Sequence, residues 1–145
     1  MKILALNKRA NFDYEIFEKF EAGIVLSGDE VKSAKAGGFN IAASYAQVKD
    51  GEIWLINSEI SSYQPKNISS NYDPKRTRKL LLHKKEIQYL GGKLTQKFML
   101  IPLRVYLKNN FIKLELGLAR LRKKYDKREL IKKREAKKIV KEITK

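Results

Sequence analysis

The stretch that decides the fold is Tyr14-Glu15-Ile16-Phe17-Glu18-Lys19-Phe20-Glu21-Ala22-Gly23-Ile24-Val25-Leu26. Tyr14, Ile16, Phe20, Ala22, Ile24 and Leu26 share one parity, while Glu15, Lys19 and Glu21 fall on the other. Side chains of a strand alternate between its faces, so this pattern predicts one long, half-buried strand. It is long enough to bend around a barrel, and Gly23 is the natural place for a kink.

Downstream, 44–49 and 52–57 flank Asp50-Gly51, the strongest short signal for a two-residue hairpin. Residues 59–63 are expected to continue that meander. A second hairpin is expected where 98–107 and 111–118 surround Lys108-Asn109-Asn110. Two helices interrupt the strands. Ser27 with Glu30 three residues on forms a capping-box pattern for a helix from Gly28, which should stop at Gly37-Gly38. The other runs from about His83 to Leu90, stops at Gly91-Gly92, and can resume through Leu94 and Lys97. Residues 64–75, with Pro65 and Pro74, read as a loop. The expected fold is mainly β with helices (α+β). It is an oligonucleotide-binding-like closed barrel of about six antiparallel strands with two or three helices.

Charge is the outlier of the composition. Among 145 residues, 32 Lys and Arg oppose 16 Asp and Glu, a net charge of +16. Self-repulsion of that size calls for an anionic partner, and phosphate backbones are the commonest one. The charge is also uneven. Residues 120–145 hold thirteen basic and four acidic side chains, more than half of the excess. The chain therefore divides into a barrel over 1–119 and a basic tail over 120–145. From Asp126 onward, Leu130, Ile131, Ala136, Ile139, Val140 and Ile143 form a helical stripe among dense lysines. Such a helix is marginal alone in water, so the tail is expected to be disordered when free and helical when bound to a phosphate-rich surface.

Several chemistries are excluded. The chain has no cysteine and one histidine, His83, so thiolate zinc sites, disulfides and a Ser-His-Asp triad are out. No apolar run approaches the roughly 20 residues that span a bilayer, and the N-terminal apolar stretch is too short for a signal peptide. A cytoplasmic protein is the expectation. A membrane-surface helix at 126–143 would lack Trp or Phe anchors. Glu21 and Glu30 could in principle be paired carboxylates of a hydrolase, but no spacing brings them together; His83 reads as a cap or a packed imidazole. Two basic clusters carry more weight. Lys75-Arg76-Thr77-Arg78-Lys79, as a strand, would present Arg76 and Arg78 together. Arg120-Leu121-Arg122-Lys123-Lys124-Tyr125-Asp126-Lys127-Arg128 is denser, and its tyrosine can stack on a base.

Six segments, in order, resemble one family. They are Leu6-Asn7-Lys8-Arg9-Ala10; Phe20-Glu21-Ala22-Gly23-Ile24; Glu30-Val31-Lys32-Ser33 with Ala36-Gly37; Ser44-Tyr45-Ala46; Asp73-Pro74 with Arg76-Thr77-Arg78-Lys79-Leu80-Leu81-Leu82-His83-Lys84; and Leu118-Ala119-Arg120 before Lys123 and Tyr125-Asp126-Lys127-Arg128-Glu129. The array resembles small protein B, the SsrA-binding protein family of bacterial trans-translation. The resemblance implies an RNA-binding adaptor, not an enzyme, with no cofactor and no metal. Such a protein binds the tRNA-like domain of transfer-messenger RNA (tmRNA) as a monomer. It enters a stalled ribosome with elongation factor Tu and GTP, and meets the small subunit and its rRNA.

By the same resemblance, tmRNA contact falls to Asn7, Lys8, Arg9, Glu21, Gly23, Glu30, Val31, Lys32, Ser33, Arg76, Arg78, Lys79, Leu81 and Lys113. The decoding centre and empty mRNA channel fall to Arg122, Lys123, Lys124, Tyr125, Asp126, Lys127, Arg128, Ile131, Ile139 and Ile143. The chain departs from the family pattern at Leu121, where a hinge glycine is usual, and at Phe12 and Tyr72, where histidines are common. A general single-strand-binding barrel is the alternative among binding modules.

Overall fold

The structure, a computed structural model, describes residues 1–63 and 72–123 and, beyond them, 127, 128, 130–132 and 134. Strand β2 (Tyr14–Ile24) is the spine that the alternation predicted. One edge pairs with β9 (Phe111–Leu121) from Tyr14↔Leu121 to Gly23↔Lys113; the other takes β7 (Arg78–Leu81) at Gly23 and Ile24. Gly23 is where β2 is shared between its two neighbours. A Cβ there would lie 3.3 Å from Leu81 Cβ, so a side chain would push β7 away.

The ring continues through β8 (Met99–Lys108), β4 (Tyr45–Lys49) and β5 (Glu52–Ile56), and β5 returns to β7. Six antiparallel strands close on one another in the order β2-β9-β8-β4-β5-β7. Closure removes the free strand edges that an open sheet would expose. Both expected hairpins are present. Asp50 (φ 53°) and Gly51 (φ 75°) join β4 to β5, and Asn109 (φ 51°) and Asn110 (φ 66°) join β8 to β9. Two left-handed residues in a row match the twist of the flanking strands. The interior holds Ala22, Ala46, Ile53, Leu55, Leu80, Leu100, Val105, Leu114, Leu116 and Leu118, each at most 3% exposed.

Three further strands lie outside the ring, and two of them, β1 and β3, escaped the sequence reading. β1 (Lys2–Leu6) pairs with β8 outside the ring, from Lys2↔Leu107 to Leu6↔Arg104. β3 (Phe39–Asn40) pairs with β6 (Glu59–Ile60) as a separate two-strand ribbon. The expected continuation of the meander at 59–63 is thereby corrected. Asn57 takes a left-handed φ of 64°, and the chain leaves the barrel there to meet β3.

Helix α1 (Ala10–Asp13) is a single turn. In α2 (Gly28–Lys35), Ser27 Oγ accepts from the Glu30 N–H at 3.2 Å, and Ser27 N–H donates to Glu30 Oε1 at 2.9 Å. The capping box is real, and the helix ends before Gly37 as expected. Helix α3 (Lys84–Leu94) begins after His83 at the N-cap, but it runs straight through Gly91-Gly92. That expectation fails because the helix is held by packing: Leu90 is fully buried, Ile87 and Leu94 pack on the same core, and Gly91 faces Val48 of β4.

The basic cluster at 75–79 takes an unexpected place. Arg78 opens β7 facing inward at 0% exposure, and Glu30 on α2 is 1% exposed. Arg78 Nη2 and Nε donate to Glu30 Oε2 at 2.7 and 2.9 Å. Arg78 Nη1 donates to Ser58 O (3.3 Å), Ser58 Oγ (3.1 Å) and Arg76 O (3.1 Å), and Nη2 also donates to Pro74 O at 3.0 Å. Arg76 reaches the same carboxylate, with Nε 3.1 Å from Oε2 and Nη2 on Oε1. Arg76 and Arg78 do converge, but on a buried glutamate. Glu30 and Arg78 are buried against each other, and the contacts they make in the fold are structural.

Burial pushes the Glu30 carboxyl up, but hydrogen bonds from Arg76, the Ser27 backbone and Arg78 outweigh it and hold the group at about 2, against an ordinary 4.5. A depressed carboxyl contributes stability that is complete above its unfolded value and fades as pH falls through its folded one. Here the window runs from 4.5 down to about 2. Urea unfolding should show wild-type stability falling steeply across that window. Glu30→Gln should be less stable by about 3–5 kcal/mol near neutrality, because it leaves buried guanidinium charge uncompensated. It should also lose the acid dependence. Identical acid slopes in both proteins would show that the pair does not carry it.

Candidate nucleic-acid interface

Register brings several predicted residues into one row. Across β7, β2 and β9, Leu81, Gly23 and Lys113 are successive cross-strand neighbours, and Tyr106 of β8 follows Lys113. Leu81 is 51% exposed, an apolar side chain that lies against Gly23, where a Cβ would meet its Cβ, Cδ1 and Cγ at 3.3, 3.5 and 3.8 Å. Alongside this row lies a shallow depression lined by Lys19, Glu21, Arg104, Tyr106, Lys108 and Glu115.

Glu21 organises that depression. It accepts from Tyr106 Oη, and Lys108 Nζ stands 3.3 Å from both of its oxygens. The tyrosine hydrogen bond, with Lys108 behind it, outweighs desolvation and holds the Glu21 carboxyl below its usual range. Burial, then the bond to Glu21, pushes the Tyr106 hydroxyl up, so it stays a donor. Glu21 thus fixes a tyrosine and a lysine in place and is not a free base. Arg104 lies over the Tyr106 ring at 5.1 Å and pairs with Glu115 at 3.3 Å; its buried Nε has no partner among the described residues. Four cations, Lys19, Arg104, Lys108 and Lys113, face two carboxylates, Glu21 and Glu115. Both carboxylates already accept hydrogen bonds, and the wall is net positive.

Asn7 has a positioning role. Its Nδ2 donates to Pro102 O at 3.1 Å and its N–H donates to Leu103 O at 2.9 Å, pinning β1's end to a bulge in β8. Lys8 and Arg9 follow it, exposed. At the other end of the predicted set, Lys32 is exposed, Val31 is half-buried, and Ser33 is buried with its Oγ 3.4 Å from Ser61 Oγ. Lys79 pairs with Glu52 at 2.9 Å.

The root of the tail is attached to α1. Leu121 pairs with Tyr14, so the position of the missing glycine is the last residue of a strand. Arg122 N–H donates to Asp13 O at 2.9 Å, and Arg122 Nε donates to Asn11 O at 3.2 Å. Lys123 O accepts from Lys127 N–H at 3.3 Å, and residues 127, 128, 130–132 and 134 are helical. Lys127 Nζ meets Asp13 Oδ1 at 3.2 Å, and Arg9 Nε meets Asp13 Oδ2 at 3.4 Å. Desolvation raises the Asp13 carboxyl, but these two bonds outweigh it and leave it lowered. Phe12, where histidine is common, has Arg9, Lys127 and Arg134 over its ring at 5.0, 5.8 and 5.5 Å. Tyr72, at the other departure, donates to Ile60 O at 2.6 Å.

Arg128 and Ile131 are exposed on the helical residues. Lys124, Tyr125, Asp126, Ile139 and Ile143 lie outside the described residues. Sequence reading missed Tyr106, Lys108, Phe12 and Asp13. Only Phe12 carried a signal, as a departure from the family pattern.

The two carboxylates considered for hydrolysis are committed to different partners, Glu21 to Tyr106 and Lys108 and Glu30 to two arginines. Among the described residues no group of three or more His, Cys, Asp or Glu could hold a metal ion, and no helix is long and apolar enough to cross a membrane.

A family model described as SmpB protein matches residues 4–145. An SsrA-binding protein of Carboxydothermus hydrogenoformans is 52% identical over 136 residues, spanning 93% of this chain and 91% of that protein. One of Thermosynechococcus vestitus is 50% identical over 138 residues, spanning 94% and 91%. A solved structure described as "tmRNA-SmpB: a journey to the center of the bacterial ribosome" matches with a TM-score of 0.69 at 47% identity, over 86% of this chain and 87% of that one. A closed six-strand ring, a cationic wall and a likeness that spans nearly the whole sequence agree: the chain belongs to the SmpB protein family.

Proposed function

We propose that this chain is an RNA-binding adaptor of trans-translation in the cytoplasm. Its barrel binds the tRNA-like domain of tmRNA and carries it to stalled ribosomes. The observation that carries the reading is the wall of Leu81, Gly23, Lys113, Tyr106 and Lys108, on a chain half identical to proteins named for binding SsrA. A-form grooves hide base edges, so a folded RNA is gripped by shape and phosphate. An apolar side chain seated on a glycine and flanked by cations on a closed ring suits that task. Glu30, Arg78 and Asn7 serve it indirectly, by fixing the ends of the strands that present the wall. The protein acts as a binding module, without catalysis, as a monomer on the RNA.

The tail over 120–145 is the second working part. In the delivery complex with elongation factor Tu and GTP, it enters the small subunit and tests whether the mRNA channel is empty. Competition between tail and message for one groove directs rescue to ribosomes whose message has run out. Tail and mRNA exclude each other sterically, and no base needs to be read.

Gel shifts should show tight binding to the tRNA-like fragment that falls linearly in log affinity with log salt. Leu81→Asp or Lys113→Glu should weaken it about tenfold, ~1.4 kcal/mol, with unchanged folding. Equal affinity for an unrelated folded RNA would refute the assignment. A chain truncated after Lys123 keeps the Leu121 pairing and the Arg122 contacts with α1. It should retain RNA binding within about threefold, a loss of under ~1 kcal/mol, while failing to support tagging on ribosomes stalled in a reconstituted system. Parallel loss of both activities would show that body and tail are not separable.

A further inference from the structure

At the opposite end of β2 from Gly23, an exposed aromatic cluster lies outside everything assigned so far. β2 carries a bulge between Ile16 and Glu18, and Phe17 within it has no cross-strand partner on β9. The ring is 48% exposed. Phe98, at the entry to β8, meets it edge-on, with centroids 5.5 Å apart and planes at 87°. Arg120 of β9 lays its guanidinium 4.1 Å from the Phe98 centroid and 6.0 Å from that of Phe17. Lys93 of α3 stands over Phe98 at 5.4 Å and over Tyr89 at 5.5 Å. The Tyr89 hydroxyl donates to Glu18 Oε1 at 2.5 Å, and Glu15 is the cross-strand neighbour of Arg120 without forming an ion pair with it.

Neither Arg120 nor Lys93 has an ion-pair partner among the described residues; Arg120's one hydrogen bond is a long one, 3.5 Å to Gln96 O. An exposed ring beside two cations that make no ion pair offers both a stacking face and free positive charge to an anionic, aromatic ligand. Their chemistry is specific. Aromatic faces accept an unpaired base by stacking, a guanidinium stacked on a ring extends that platform, and unpaired cations beside it take the flanking phosphates. From Phe17 to Gly23 is roughly 20 Å along an extended strand, so one nucleotide cannot touch both places.

We infer that Phe17, Phe98 and Arg120, with Lys93 beside them, form a second RNA site that stacks unpaired bases of a single-stranded segment at the root of the tail. The site rests on the reading of the chain as an RNA-binding adaptor, but it differs in ligand: unstacked single strand here, folded RNA on the Leu81–Gly23–Lys113 wall. A hydrophobic protein partner would use the rings and leave the two cations unanswered, which is why charge favours RNA.

Fluorescence anisotropy of the full chain with a labelled oligo-A octamer, beside the folded tRNA-like fragment, tests it. Phe17 is exposed, so Phe17→Ser should fold normally; with Arg120→Gln, each should weaken octamer binding about tenfold and leave the folded fragment unaffected. Leu81→Asp should do the reverse. Tight binding of the fragment with octamer binding indifferent to Phe17→Ser overturns the site and leaves the adaptor reading standing. So does sensitivity to Arg120→Gln alone, which would mean charge without stacking. Binding of neither RNA by the wild-type chain would overturn the adaptor reading itself. Loss of ribosome association in Phe17→Ser with full octamer binding would assign the face to a protein and overturn the inference.

Discussion

Glu30 and Arg78 sit almost wholly out of water, 48 residues apart in sequence, and their pairing constrains most of what surrounds them. An isolated buried charge of either sign would be prohibitive, so each requires the other. Arg78 opens β7, the strand that closes the ring between β5 and β2, and Glu30 lies in the first turn of α2, which follows directly from β2. The pair therefore ties the strand that completes the barrel to the helix that leaves it. Ser27 adds a local clamp on the same carboxylate, and Ser58 and Pro74 fill the remaining donors of the guanidinium. Replacing one partner leaves the other stranded, which is why such a pair specifies an arrangement more than it adds net stability.

With β7 fixed, the outer wall follows. Leu81 lies against Gly23 only if β7 keeps its register on β2, while the separate β2–β9 register places Lys113 on the far side of the glycine. The buried ions and the exposed cations are thus linked through strand pairing, without touching. Within the wall, carboxylates temper a strongly basic chain. Glu21 holds Tyr106 and Lys108, Glu115 holds Arg104, and each acid orients donors that would otherwise repel one another. A field arranged in this way keeps its sign but gains geometry.

How much of this was legible depended on sequence distance. The capping box at Ser27, the Asp50-Gly51 turn and the parity of β2 are local, and their residues carry the instruction within a few positions. Gly91-Gly92 shows the local rule failing: Leu90 packs beneath the pair, so tertiary contact carries α3 past two poor helix formers. The row Lys75 to Lys79 read as surface charge because its partner, Glu30, stands on another element. Tyr106 and Glu21 are 85 residues apart, and only strand register joins them. Strand β3, two residues long, is too short for any periodicity to reveal, and β6 was expected as a strand but with the wrong partner. Leu81, Gly23 and Lys113 of the candidate wall were therefore named through the family resemblance, whereas Tyr106, Lys108 and the order across the strands came from pairing alone.

The junction with the tail follows a different energetic logic from the barrel. Leu121 completes a ladder and Arg122 is held by two backbone carbonyls, so the chain leaves β9 in a defined direction even without a hinge glycine. Beyond that point the attachment is made of half-buried groups at the surface. Asp13 shares its carboxylate between Arg9 and Lys127, and Phe12 sits under three cations. An exposed ion pair contributes about 0–1 kcal/mol and an exposed cation–π contact about 0.5–1 kcal/mol, both weakened by competing solvation or salt. Each of those cations can exchange a carboxylate or a ring for a phosphate with little change in energy. The barrel is built so that its charges cannot leave their partners; the first helical residues of the tail are built so that theirs can.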